Sequence, residues 1–174
     1  KQRTFAPVYE HTDFENSGMF REMSVGSIAV IRVRGRIVGA AGCWDQHAFR
    51  QTIVRGYANA IGSFRPFINF WSKLCGGIQL PPVGQPLHCC YVAFPMVKCA
   101  KHAVMLLNQL IRTTPVSADC LLMGLCDDDP LLSAMRVQAV GEYRTRLYAV
   151  SLNRKETFRK MRGHDPCYLE LGCL

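Results

Sequence analysis

The hydrophobic and polar positions of this chain settle into a strand–helix–strand rhythm between residues 87 and 132. Residues 87–94 form a short apolar run closed by Pro95. Proline lacks the N–H that a sheet ladder needs, so the strand is expected to stop or bulge there. Residues 103–111 carry a long apolar stripe that ends at Thr113, Thr114 and Pro115. That length and the closing proline predict a buried helix. Residues 120–126 are continuously apolar, the pattern of a strand covered on both faces. Such a unit gives two parallel strands joined by a right-handed crossover. It points the N-terminus of the helix, with free N–H groups and the positive dipole end, toward the carboxyl end of the first strand. That is a seat for phosphate, and Lys98, Lys101 and His102 lie beside it.

Upstream, residues 27–33 and 37–44 read as a hairpin, with Gly35 supplying the positive φ of a tight turn. Gly39, Ala40, Ala41 and Gly42 admit a close neighbour, either a packed helix or a ligand. Residues 45–57 suggest a turn or short helix after Trp44, then an extended stretch. Residues 56–86 interrupt the rhythm as an insert. Within it Ser63 is expected to cap a helix that has Pro66 in its first turn and ends at Gly76-Gly77. Phe64, Phe67, Trp71 and Leu74 recur at helical spacing, with Phe70 beside them. Such a stripe belongs in a core, and the competing reading is a lid or a docking face for another domain. After the central unit, Asp129 and Pro130 are expected to start a helix, with acids in its first turn favoured by the dipole. Capping explains Asp127-Asp128-Asp129 more simply than a metal site does. Residues 142–150 alternate as an antiparallel strand, 154–162 form a basic run, and 167–171 suggest a last short strand. Residues 1–26 form a mixed N-terminal arm in which Phe5, Val8 and Tyr9 are anchors, with short helical turns at 13–16 and 19–23.

The chain has 174 residues, enough for one domain with a core, and 49% of them are hydrophobic against 20% charged. No apolar run reaches the about 18 residues that span a bilayer, and no secretion segment opens the sequence, so no membrane partner is expected. The formal net charge of +8 favours an anionic partner. The clustered aromatics are not interleaved with Lys and Arg, which argues against a nucleic-acid platform. The nine cysteines are odd in number, scattered and without a C-x-x-C pair, so neither zinc spacing nor a disulfide framework is indicated. A reducing, cytoplasmic compartment fits that usage.

The order of hairpin, insert, strand, helix, strand, helix, strand resembles the GNAT superfamily of acyl-CoA-dependent N-acyltransferases. Residues 33–39 look like its turn between the second and third strands. Residues 119–125 followed by Asp129-Pro130-Leu131-Leu132 look like its fifth strand and fourth helix, and residues 143–150 like the next strand. Residues 44–57, Trp-Asp-Gln-His-Ala-Phe-Arg-Gln-Thr-Ile-Val-Arg-Gly-Tyr, and 168–172, Tyr-Leu-Glu-Leu-Gly, look like the second half of larger tandem GNAT-like proteins. The resemblance runs from about Phe5 to Gly172. It implies an α/β fold with a mixed sheet and a central splayed βαβ unit: one domain, with arm 1–26, insert 56–86 and cofactor-type core 87–150.

By that resemblance, acetyl-CoA or another acyl-CoA binds where the fourth and fifth strands part, with its diphosphate on the following helix. The matching positions are Val92, Phe94, Val97, Lys98, Lys101, His102 and Ala103. Lys98 takes the basic place of the phosphate loop and Ala103 its last small one, whereas Lys101 stands where glycine is expected. The acid for the departing thiolate would be Tyr143 or Tyr148, and Glu142 or His88 would be the base. No metal is implied. The partners implied are a CoA-type anionic ligand and either a second GNAT-like domain or another copy of the chain. The alternative is a non-catalytic GNAT-like module that binds a ligand or a partner domain.

Overall fold

The computed structural model describes residues 8–14, 19–58, 60–75, 77, 79–146, 168 and 170–173. Two short 3-10 turns, His11–Phe14 and Val25–Ser27, precede the first strands. Then follow β1 (Ile28–Val33), β2 (Arg36–Asp45), β3 (Thr52–Ile53), helix α1 (Ala60–Cys75), β4 (Pro86–Leu87) and β5 (Cys89–Val97). Helix α2 (Ala100–Thr113), β6 (Cys120–Leu122), helix α3 (Leu132–Gln138) and a 3-10 turn at Leu171–Cys173 complete the order. Strands β1-β2-β5-β6 make one mixed sheet, and β3 pairs with β4 apart from it. The architecture is the expected α/β class with a mixed sheet.

The hairpin forms because two adjacent residues take the left-handed region. Arg34 has φ 50° and Gly35 φ 75°, which matches the right-handed twist of the flanking strands. β2 then pairs antiparallel with β5, and β5 pairs parallel with β6. The β2–β5 register shifts between Gly42↔Ala93 and Ala40↔Met96, so Phe94 and Pro95 together oppose Ala41. Pro95 therefore sits in a bulge, where its missing N–H is tolerated, and the strand continues to Val97.

Both faces of the sheet are covered. On one, Leu106 and Leu110 of α2 pack on Ala29, Ile31, Val38, Ala41, Cys43 and Val92. Burying each leucine stabilises the fold by about 1.5–3 kcal/mol. On the other face lie Phe20, Trp44, Tyr91 and Phe94, with Tyr9 and Leu171 against them. Trp44 donates its indole N–H to the Arg21 carbonyl at 2.7 Å, which ties the arm down. The small residues of β2 serve this packing. A Cβ at Gly42 would lie 2.8 Å from the Phe94 ring, and one at Gly39 would lie 3.1 Å from Val97 Cγ1.

Several expectations change. Helix α1 starts at Ala60, so Ser63 does not cap it and Pro66 lies inside it, at the cost of the hydrogen bond to the Gly62 carbonyl. The aromatic stripe is not core: α1 has no buried residue, and Phe64, Phe67, Phe70, Trp71 and Leu74 are all exposed. Its polar side is held instead by the returning loop, where Asn69 accepts from the Leu80 N–H at 2.8 Å and donates to the Leu80 carbonyl at 2.9 Å. Residues 142–146 form no strand, and the Glu142 side chain is engaged by Arg136 and Arg144; 147–150 lie outside the described residues. At the close, Tyr168 and Glu170 lie in no strand and Leu171–Cys173 form a 3-10 turn; residues 167 and 169 lie outside the described residues.

Helix α3 starts at Leu132, slightly later than Pro130. The N-cap position falls on Leu131 with no side-chain cap bond, so Asp129 does not cap the helix as expected; buried, it accepts from the Leu131 N–H at 2.8 Å and closes the turn that leads into α3. The basic run 154–162 and Phe5 also lie outside the described residues. Among the described residues, no helix is long and apolar enough to cross a membrane.

Candidate functional site

β5 and β6 pair over only three positions, Cys89↔Cys120, Cys90↔Leu121 and Tyr91↔Leu122. β5 then runs on to Val97 while the chain leaves the sheet after Leu122. The two parallel strands thus part just ahead of α2. The first turn of α2 carries no acid, and Cys99 at its N-cap makes no side-chain cap bond. Lys98 and Lys101 are exposed beside that turn, and His102 Nδ1 lies 3.3 Å from Cys99 Sγ. The Lys98 N–H donates to the Val38 carbonyl at 3.1 Å, which fixes the entry to the helix.

The interior of the parting is apolar and nearly full. Val92, Pro95 and Val97 face Ala103, Leu106 and Leu107 of α2, with Leu131 and Met135 closing the end. The cavity left is about 10 Å³, room for about one water. Among the seven expected cofactor positions, Val92, Val97 and Ala103 line this space, while Lys98, Lys101 and His102 lie at its helical rim. Phe94 does not join them. Its φ of 40° turns its side chain to the opposite face, among Tyr9, Phe14 and Phe20.

That turn brings the Phe94 N–H to a group the sequence reading passed over. Glu170 is 8% exposed, and its Oε2 accepts from the Phe94 N–H at 2.8 Å, the Tyr168 hydroxyl at 2.5 Å and the Tyr9 hydroxyl at 3.2 Å. Its other oxygen, Oε1, is buried with no hydrogen-bond partner among the described residues. A buried carboxylate oxygen without a donor is costly, so this one calls for a further donor, which a water or a ligand would supply. Burial, and next the bond to Glu170, push the Tyr168 hydroxyl far above the usual phenol range; burial does the same to Tyr9. Both therefore stay protonated donors at neutral pH. The available signal was the spacing of Tyr168 and Glu170, which puts both side chains on one side of an extended segment. The third member, Tyr9, comes from the opposite end of the chain.

The expected catalytic residues are not assembled here. Tyr143 is 74% exposed. Glu142 is bridged by Arg136 at 2.9 Å and Arg144 at 3.2 Å, and Arg136 foremost holds its carboxyl below the usual range. Tyr148 lies outside the described residues. His88 is engaged at both ring nitrogens, with Nδ1 3.1 Å from the Ser117 carbonyl and Nε2 2.9 and 3.0 Å from the two oxygens of Asp45. It has no nitrogen left for a substrate proton in this arrangement.

Comparison with protein-family models, with curated proteins and with solved structures gives no match.

Proposed function

We propose that this chain is a GNAT-like domain that uses an acyl-CoA, such as acetyl-CoA, to acylate an amine. The observation that carries this reading is the parting of parallel β5 and β6 beside the start of α2, with the Glu170 carboxylate fixed at the β5 bulge. The amine nitrogen bonds to the thioester carbon and the carbon–sulfur bond breaks. Glu170 takes the amine proton at its unpartnered oxygen, and the departing thiolate receives a proton relayed through the Tyr168 or Tyr9 hydroxyl, which the protonated Glu170 replaces, so no phenolate is left. Lys98 and Lys101 add charge for the diphosphate at the helix end. The reading requires the buried side chains of Leu131 and Met135 to yield space to the pantetheine arm. A reducing, cytoplasmic setting goes with this chemistry and with the scattered cysteines.

The reading is tested by titrating the protein with acetyl-CoA in a calorimeter and then assaying thiol release with a panel of amines. Glu170→Gln keeps cofactor binding and lowers turnover about 10²–10⁴-fold, the range of general-base catalysis. Absence of heat at saturating acetyl-CoA and at longer acyl-CoAs sinks the cofactor and the enzyme together.

A second reading is favoured by the filled parting and by Lys101 at the glycine place: a non-catalytic GNAT-like module that docks a second GNAT-like domain or another copy of itself. Helix α1 then supplies the surface, through Phe64, Phe67 and Trp71. Concentration-dependent sedimentation with no cofactor binding selects this reading.

A further inference from the structure

The geometry points to a transition-metal site of the zinc class at the end of the sheet away from the bulge, formed by Asp45, His88 and Cys90. Strand register assembles it rather than sequence spacing. Asp45 and Cys90 are direct partners across β2 and β5, so their side chains share a face. His88 stands two residues before Cys90, on the same side of the extended chain. One donor atom from each of the three lies within 4.8 Å of the others.

The hydrogen bonds around His88 call for a cation. Its Nδ1 faces the Ser117 carbonyl at 3.1 Å and its Nε2 faces the Asp45 carboxylate at 2.9 Å. Both partners only accept. A neutral imidazole has one N–H and can serve one of them. With Nδ1–H given to Ser117, the Nε2 lone pair is aimed at carboxylate lone pairs, and a positive centre has to lie between them. A proton would satisfy that pair alone. A metal ion would also use the third donor, Cys90 Sγ, which otherwise shares only a hydrogen bond with the Cys43 thiol. Sulfur, imidazole and carboxylate together select zinc-class ions over magnesium or calcium.

The outer contacts already suit an ion. A carbonyl on Nδ1 fixes the metal-binding tautomer of a histidine, and Asp45 Oδ1 accepts from the His47 N–H at 2.9 Å, which holds the carboxylate. Bonds of about 2.0–2.3 Å set the donors about 3.3–3.7 Å apart. Asp45 and His88 separate slightly and Cys90 closes by about 1 Å. The Cys90 thiol gives its proton to solvent as the metal–sulfur bond forms. Asp45, with a side chain 37% exposed, leaves the fourth position toward water or an incoming ligand. Three protein donors with one open place is the pattern of a reactive rather than a purely structural zinc centre.

The test is titration of the reduced full chain with Co²⁺ and then Zn²⁺ under chelator-buffered, oxygen-free conditions. The expected result is one equivalent bound, with a thiolate-to-cobalt charge-transfer band. Asp45→Asn and His88→Gln should each weaken binding more than about 100-fold, beyond the 10–100-fold cost of losing an outer partner. Cys90→Ser should abolish the band, whereas Cys75→Ser, at an exposed position, should leave it intact. If Cys90→Ser fails to fold, the partly exposed Asp45→Asn decides. Uptake of no metal, meaning that only a proton bridges the pair, overturns the proposal. So does uptake unchanged in Asp45→Asn and His88→Gln.

Discussion

Helices α1 and α2 are alike in sequence and opposite in fate. Both carry an apolar face at helical spacing, and α1 is the richer in aromatics. Yet α2 buries Ala103, Leu106 and Leu110, whereas α1 buries nothing. The difference lies in what the ends are tied to. α2 links two neighbouring parallel strands of one sheet, so the crossover lays it on the sheet. α1 is tied at both ends to the two-residue β3–β4 pair, which stands apart from that sheet. Periodicity says that a helix has an apolar side; connectivity says whether anything lies beneath it.

The contrast can be broken or sharpened by mutation. The largest effect is expected at Leu110, where truncation to alanine should cost about 2–5 kcal/mol in urea unfolding. An equal loss from Leu74→Ala in α1 would erase the distinction. Gly42→Val should follow, at about 1–3 kcal/mol, because the added carbon meets the Phe94 ring. Gly35→Ala should cost about 1 kcal/mol, since its positive φ strains any other residue.

Alkaline unfolding tests the covered aromatic layer from another side. Burial raises the Tyr9 and Tyr168 hydroxyls above their unfolded value of 10.0, so folding favours the protonated form. Their contribution is complete below that value and is lost as pH rises through the folded values. Tyr168→Phe should flatten the fall in melting temperature above about pH 10. The smallest effect on monomer stability is expected from Phe67→Ser, within about 0.5 kcal/mol. In sedimentation, by contrast, that change should reduce self-association at high concentration, and a wild-type chain that stays monomeric would show that the α1 face has no copy to meet.

The hairpin, the two parallel strands and the crossover were legible because their signals are local: Arg34-Gly35 for the turn, an apolar run for each strand, and Pro115 behind the helix. The bulge was half legible. Pro95 announced it, but only the β2 partner shows that the strand resumes and that Phe94 flips faces. Glu170 escaped notice because its partners sit at positions 9, 94 and 168, a convergence that no local spacing encodes. The Asp45–His88–Cys90 group escaped for a similar reason, since its donors are joined by strand pairing. The α1 stripe misled because spacing does not report what covers a helix.

The narrow clasp at the root of α1 has an engineering consequence. Val54 donates to the Gln85 carbonyl at 3.1 Å and accepts from Gly84 at 2.8 Å, so the entry and exit of the insert are already side by side. Residues 55–84 can therefore be exchanged for a two-residue turn without stretching the chain on either side. The shortened protein should keep its four-stranded sheet and both covering layers, making the excursion a replaceable cassette rather than a girder.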